Sequence, residues 1–544
     1  MKLPTHVDRK WPELIIAVFY GAALAVILGL ILFVSGNISY ACKNVLPREN
    51  LTYLLWGILV WVGSALTVQA VRRWLPAVRL PLSGNQLIAI LSLLLAGVQF
   101  YSVYQYYFYT GWDVGGAVLP MVEYLTSGTP EQLDSYDFHW LEYYFSVYPN
   151  NQLLMFILCA IRRFTLKVGI TAVSATLPYY LALNCILCAL SGWLLFQVLN
   201  QLTGRQATAW WGWLLFVGLV AASPWCSIPY SDAVGVIFPI LTAWLYLRYL
   251  STGKNRFLFL LTLSGYIALK IKPQASFFLI AALLMELVEA GRKLVKRSFH
   301  ISSAVKKIGC MLLGFVLAIV LCTAASNSLN INLDSDHEFG WQHFLMMGMN
   351  EENGGVYSGE DVAFSGSIYP RQLRNAEDLK LAGTRIRDMG LFGFCRFLVK
   401  KALTVFADGT FAWMQEGTFF REIYPEKNGF LSPFFRSLFY ENGARWDSWA
   451  GFSQTLWLLC LSGMVFAART HFDEDYKQTF LAALMLGVLG LIAFELLFEA
   501  RARYLFVFCP IFVALAAMGG QTVWDAMTRF LEKKPLRMLP GRRA

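Results

Sequence analysis

About twelve long apolar stretches recur along this chain, centred on residues 13–35, 51–71, 84–105, 174–199, 207–222, 231–250, 256–270, 275–291, 307–325, 453–468, 479–497 and 502–519. A run of roughly 20 apolar residues carries an α-helix across about 30 Å of hydrocarbon. Lipid offers no partner to an unpaired backbone N–H or C=O, so runs of this kind close their hydrogen bonds internally, as helices. Composition agrees, since 57% hydrophobic and 15% charged residues with a mean hydropathy of +0.50 do not describe a water-soluble core. The expected fold class is an all-α polytopic membrane protein with about 12 transmembrane helices.

The net charge of +10 follows from topology rather than from a nucleic-acid partner, because Lys and Arg gather in alternate loops, which marks those loops as cytoplasmic. They are Lys2, Arg9 and Lys10, then Arg72, Arg73 and Arg79, the 248–256 and 292–307 connections, 469–477, and the tail ending in Arg542 and Arg543. This parity places both termini in the cytoplasm of a multi-pass cell-membrane protein. The first apolar segment has basic flanks and no small-residue cleavage site, and reads as a retained anchor. Of the ten cysteines, Cys159, Cys185, Cys188, Cys310, Cys322, Cys460 and Cys509 fall inside apolar segments and behave as small hydrophobes. Cys185 and Cys188 form a CxxC without matching His or Cys, which reads as packing.

The pattern divides the chain into two N-terminal helices (1–80), a transmembrane module (81–325), a large outer loop or small domain (326–450), C-terminal helices (451–520) and a basic tail (521–544). Within the module, the first outer loop (106–149) precedes a short surface helix at 150–166 ending in Ile161, Arg162 and Arg163. In the large loop, Gly390 to Phe406 is amphipathic, with Arg396, Lys400 and Lys401 set against Phe394, Phe397, Leu398, Leu403 and Phe406. It is expected to lie along the membrane surface. No internal repeat is visible.

Asp113 stands just beyond a span, in Gly111-Trp112-Asp113, and a carboxylate at a membrane boundary needs a partner, water or a task. Tyr143 to Asn151 follows, with Tyr148, Pro149 and Asn150 leading into the surface helix; aromatic residues there serve as membrane anchors or as substrate contacts. At Pro229-Tyr230-Ser231-Asp232 the acid opens a helix, either as a cap or as a substrate ligand. Lys270 and Lys272 beside Pro273, and Arg501 and Arg503 after Glu495 and Glu499, put cations in outer turns where the charge rule disfavours them. Such cations suit an anion, Arg above all for its planar fork on phosphate; pairing of Glu499 with a neighbouring Arg is the competing reading. In the large loop, His343, with Trp341 to Asn350 and Asn353 to Tyr357, offers the aromatic and amide groups that suit a sugar, while Asp408-Gly409-Thr410 reads as a turn. Glu131, Asp134, Asp137 and Glu142 form an acidic loop that could take a divalent cation, though four cations neutralise phosphate without one.

In their order, Gly111-Trp112-Asp113, Tyr148-Pro149-Asn150-Asn151, Pro229-Tyr230-Ser231-Asp232, Lys272-Pro273 and Glu499-x-Arg501-x-Arg503-Tyr504 resemble the GT-C superfamily of membrane glycosyltransferases, in the protein mannosyltransferase and aminoarabinose transferase-like branch. The resemblance covers residues 84–290 and the last hairpin; the two preceding spans and Asn150-Asn151 in place of a second Pro depart from it. It implies a GT-C-like helix arrangement, Asp113 as the acidic catalytic residue, and Lys272 with Arg501 or Arg503 facing a lipid phosphate. Lys270 would assist there, and Trp112, Tyr148, Asn150, Tyr230, Asp232, His343, Glu499 and Tyr504 would contact substrate.

The expected function is transfer of a sugar from a polyprenyl-phosphate donor to an extracytoplasmic envelope glycan, lipid or protein, with inversion, membrane lipids as the medium and no required cofactor. Two alternatives remain open. One is a transporter or flippase for lipid-linked sugars, which would keep its charges near mid-membrane and show related halves. The other is a ligase using a pyrophosphate-linked glycan.

Overall fold

The computed structural model describes residues 11–41, 46, 48–74, 82–106, 109–110, 113–127, 138–416, 420–421, 429–441 and 443–533. Trp112, Glu131, Asp134, Asp137, Arg79 and the basic ends of the chain lie outside the described residues. The helices, in order, are α1 (Trp11–Phe33), α2 (Asn50–Trp74), α3 (Gly84–Tyr106), α4 (Leu119–Ser127), α5 (Phe138–Val147), α6 (Gln152–Lys167), α7 (Val173–Thr203), α8 (Gln206–Phe216), α9 (Ser231–Gly235), α10 (Ile237–Thr252), α11 (Arg256–Ile271), α12 (Phe277–Val295) and α13 (Ile301–Asn327). They continue with α14 (Trp341–Gly348), α15 (Gly359–Gly366), α16 (Arg371–Phe406), α17 (Trp413–Glu416), α18 (Ser432–Phe439), α19 (Trp446–Ala467), α20 (Asp475–Leu497) and α21 (Cys509–Lys533).

Among the described residues, 10 helical segments are long and apolar enough to cross a membrane: Trp11–Phe33, Asn50–Thr67, Gly84–Tyr106, Val173–Thr203, Ser231–Thr252, Pro273–Val295, Ile301–Asn327, Trp446–Ala467, Asp475–Leu497 and Ala502–Phe530. The sequence suggests about twelve; the two that fall short are Gln206–Ala221 and α11, which has 16 residues. At 1.5 Å per residue such a helix reaches about 24 Å, less than the hydrocarbon thickness. α11 stops because Pro273 forces the residue before it out of the helical region. Lys272 accordingly is extended, with φ −159° and ψ 125°.

Lipid-side packing uses close backbone approach, since apolar side chains gain nothing over lipid tails. Where α19 crosses α21, a Cβ on Gly519 would stand 1.8 Å from the Gly463 carbonyl oxygen, so glycine at this crossing lets the two backbones touch. α1 packs on α19 and α20, and α2 on α19, so the N-terminal pair is part of the bundle rather than an appendage. The buried Glu13 of α1 takes both terminal nitrogens of Arg292 on α12 and a hydroxyl from Thr479 on α20.

The loops that carry most of the polar chemistry meet at one end of the bundle. β1 (Tyr109–Thr110) pairs antiparallel with β2 (Phe420–Arg421), the Asn332 and Asp334 amides donate to Glu142 and Ser146 of α5, and Thr404 of α16 donates to the Ala41 carbonyl. The opposite end holds Arg205 with Asp525, and Arg292 with Glu13. α16 breaks at Gly390, whose φ of 60° is left-handed. Its second half departs from the surface-helix expectation at its end, where every residue from Lys401 to Phe406 is buried, and Lys401, assigned by its charge to the polar face, is fully so. It lies four residues after the buried Phe397, and thus on the inward stripe. The surface helix expected at 150–166 is α6, entered through a 3₁₀ turn at Pro149–Asn151.

α6 is fixed by Arg162, which is 1% exposed. Its Nε meets Glu123 Oε2 at 3.0 Å and its Nη2 meets Oε1 at 2.8 Å, while Nη1 donates to the Ile170 carbonyl and to Thr176. Removing one member of such a buried pair strands the other charge. Glu123→Leu is expected to lower unfolding free energy in detergent micelles by about 3–5 kcal/mol, and the double variant Glu123→Leu/Arg162→Met to recover most of that loss. Equal thermal unfolding of Glu123→Leu and the parent protein would show that the pair does not hold α6.

Candidate functional site

Asp113 is delivered by two local features. β1 ends three residues before it, and a five-residue π-helical segment, Val114–Val118, begins directly after it. π segments are rare and re-aim the side chains beside them. The half-buried Asp113 carboxylate accepts a hydrogen bond from the Tyr230 hydroxyl at 2.8 Å, and burial followed by the charge of Asp113 pushes the neighbouring Tyr144 phenol up. Asn151 Nδ2 donates to the Tyr230 hydroxyl oxygen at 3.3 Å. A carboxylate has about four lone-pair positions, so these partners orient Asp113 and leave it acceptor capacity. Burial, followed by the charge of Asp113, pushes the Tyr230 phenol well above its usual range, which keeps it a proton donor at neutral pH.

Over the Tyr230 ring stands Arg503, with Lys272 joined to it through Asp232. Lys272 Nζ forms a short ion pair with Asp232 Oδ1, and Arg503 Nε lies 3.7 Å from Asp232 Oδ2. All three side chains are less than a tenth exposed. The Arg503 guanidinium is 5.6 Å from the Trp225 ring centre, 5.9 Å from Tyr230 and 5.7 Å from Tyr504, and Lys272 Nζ is 4.7 Å from the Tyr504 ring. Such ring faces stabilise a cation that has lost water. Burial pushes the Lys272 amine down, and Asp232 opposes that shift. Tyr230, which stands at the cap position of α9, makes no side-chain cap bond, and the Asp232 carboxylate in the first turn is directed to the two cations.

α20 is followed by a short extended strap, with Phe498 at φ −94°, ψ −174° and Arg501 at φ −156°, ψ 131°, and then by a 3₁₀ helix, Ala502–Phe508, that carries Arg503 and Tyr504 into α21. Extended backbone leaves peptide groups without helical partners, and the large loop supplies them. Lys401 Nζ donates to the Phe498 carbonyl at 2.6 Å and to the Gly348 carbonyl at 2.7 Å, and the Ala500 amide donates to the Gly355 carbonyl at 2.8 Å. Gly348 lies flat on the strap, where a Cβ would stand 2.4 Å from the Phe498 carbonyl carbon. Burial pushes the Lys401 amine down to about 7, against the pull of Glu495 and Glu499. The strap holds Glu499, which accepts from the Tyr504 hydroxyl at 3.0 Å; its carboxyl is pushed up by burial and drawn back by Arg501 and Arg503.

Of the residues singled out in the sequence, Asp113, Tyr230, Asp232, Lys272, Arg503, Tyr504, Glu499 and the half-buried Arg501 come together here. Tyr148 borders the group, its hydroxyl pushed up by burial and by Tyr357, Asp113 and Glu499. Lys270 does not join it: it is exposed and stands 5.8 Å from the Tyr266 ring. Asn150 is exposed as well, and its neighbour Asn151 makes the contact with Tyr230. His343 reaches the group only through Phe339, whose ring packs on both Tyr148 and His343. Fully buried, it pairs Nδ1 with Ser365 at 2.7 Å, and burial pushes the imidazole down to about 4. Asp408 accepts from the Thr410 and Ala412 amides, the turn read from its sequence.

Tyr144, Asn151, Trp225, Tyr357 and Lys401 complete the site; Tyr144, Asn151 and Tyr357 lie in segments singled out in the sequence, Lys401 reads there as a cation of a surface helix, and Trp225 carries no signal. Among the described residues, no group of three or more His, Cys, Asp or Glu side chains is arranged to hold a metal ion. The model of the family described as conserved hypothetical integral membrane protein matches residues 10–524, and the chain belongs to that family. No curated protein matches it.

Lys401→Met removes two donors and leaves the Gly348 and Phe498 carbonyls unpaired, at about 1–3 kcal/mol each. Because the Lys401 pKa of about 7 lies below its unfolded value of roughly 10.4, the unfolded chain binds the extra proton between them, and stability gains from this group as pH rises through that window. The parent protein is therefore expected to gain stability over Lys401→Met between pH 7 and 10, measured by thermal unfolding in detergent. A constant difference across that range would contradict a buried, deprotonating amine.

Proposed function

We propose that this integral membrane protein is a glycosyltransferase that moves a sugar from a polyprenyl-phosphate donor to an acceptor hydroxyl at the end of the bundle where the large loops meet. One observation carries the reading: Tyr230 bonds the half-buried carboxylate of Asp113 through its hydroxyl, while the Arg503 guanidinium, which shares Asp232 with Lys272, stands over its ring. Glycosyl transfer from a lipid phosphate asks for that pairing.

In the proposed reaction Asp113 takes the proton of the acceptor hydroxyl as its oxygen attacks the anomeric carbon. The bond from that carbon to the phosphate oxygen breaks, and the electron pair leaves with the polyprenyl phosphate. General-base assistance of this kind is worth about 10²–10⁴-fold. Arg501, Arg503 and Lys272 oppose the charge that grows on the leaving phosphate. Lys272 and Arg503 are shared with Asp232, and the half-buried Arg501 acts on the Glu499 carboxyl beside them. A single displacement with no protein nucleophile inverts the anomeric centre.

The short connections at the other end, 248–256, 292–307 and 469–477, are rich in Lys and Arg, which supports reading the end used here as the extracytoplasmic face. The acceptor is then an envelope glycan, lipid or protein. Reconstituted in liposomes and offered a panel of polyprenyl-phosphate hexoses and pentoses, the parent protein is expected to transfer one of them. Asp113→Asn should lower kcat by about 100-fold or more with donor binding retained. Arg501→Gln should instead raise KM for the donor. Near-normal turnover in Asp113→Asn would overturn the assignment of the base, and release of free polyprenyl phosphate at the same rate in both variants would overturn the reaction.

A further inference from the structure

At the end of the bundle away from Asp113 lies a cavity of about 400 Å³, lined by Trp193, Gln197, Asn200 and Gln201 of α7 and by Trp244 and Arg248 of α10. That volume falls within the range of small-molecule sites. Arg248 follows Asp232 by 16 positions along α9 and α10, which at 1.5 Å per residue puts the two roughly 24 Å apart. The cavity is therefore separate from the candidate site.

Arg248 sits at 5.9 Å from the ring centres of both Trp244 and Phe257. Its Nε is buried and has no hydrogen-bond partner, and among the described residues no carboxylate pairs with its guanidinium. The residue as a whole is half-buried, and an anion entering the cavity would give its guanidinium a charged partner. Gln197 donates to Asn85 Oδ1 at 3.3 Å and Gln201 to Ser251 at 3.1 Å, so both amides are oriented at the wall. The cavity also lies within the last turns of α7 and α10, at the depth where lipid headgroups meet the hydrocarbon.

We propose that this cavity binds a phosphate-ester headgroup, with the Arg248 fork on the phosphate oxygens, the amides of α7 on its hydroxyl groups and the two indoles enclosing the glycerol. The ligand is an anionic phospholipid of the leaflet facing this end; a soluble phosphate ester shares the chemistry.

The test uses the full-length protein in phosphatidylcholine nanodiscs, with phosphatidylglycerol titrated in and bound lipid counted by native mass spectrometry. Selective retention of phosphatidylglycerol is expected, weakened at least about tenfold in Arg248→Gln. Asn200→Leu, which fills the cavity without touching a charge, should have the same effect and decides the matter if Arg248→Gln misfolds. Arg256→Gln removes an exposed cation at the same end and should leave retention unchanged. Competition by glycerol phosphate at equal affinity would support the phosphate site and reassign its source to a soluble ester. Equal retention of the two lipids, or equal losses in Arg256→Gln and Arg248→Gln, would overturn the proposal.

Discussion

Asp232, Lys272 and Arg503 share charge in a place with little water, and the arrangement of the proposed site depends on that triad. A buried ion pair returns its desolvation cost only when the geometry is good and the remaining bonds are made. Here the geometry is supplied by three separate interruptions of helix: the start of α9, the break before Pro273, and the strap after α20. Each would place a lone charge in an apolar setting if the other two moved. The triad therefore sets how these three elements sit against one another, and with them the rings of Tyr230 and Tyr504. Asp113 inherits its position at one remove, through the Tyr230 hydroxyl.

Much of this was legible in the sequence because it obeys or breaks rules that act locally. Ten of the long helices follow from apolar runs that any lipid-exposed backbone requires, and Lys272, Arg501 and Arg503 were visible as cations where the charge rule disfavours them. Partners were not legible. Asp232 at a helix start reads as a cap until Lys272, 40 residues later, is seen to reach it. Asn151 rather than Asn150 turns inward because the 3₁₀ entry to α6 fixes the facing, and a one-residue difference in a turn lies below what composition encodes. Arg162 reads as one of two surface cations until Glu123, 39 residues earlier, is seen to hold it. Local patterns carry propensity and burial; long-range pairing of charges belongs to the packing.

The strap between α20 and α21 shows why a large polar loop is tied to the site. Phe498 and Arg501 are extended so that Glu499 and Arg503 can face the centre, and extended backbone near a membrane must find partners in protein. Lys401, Gly348 and Gly355 provide them from the loop. The same contacts limit how that loop can move. Any movement of the loop around Gly348, Gly355 and Lys401 would strip the Phe498 carbonyl and the Ala500 amide of partners, at about 1–3 kcal/mol for each group left dry. The half of α16 that follows Gly390 is bolted to the strap by Lys401, whereas the left-handed Gly390 separates it from the half that precedes it. That preceding half is held in turn by Arg374 on the Ser365 carbonyl and by Arg385 on the Met346 carbonyl and Asp361, so α14 and α15 link both halves of α16 to the strap.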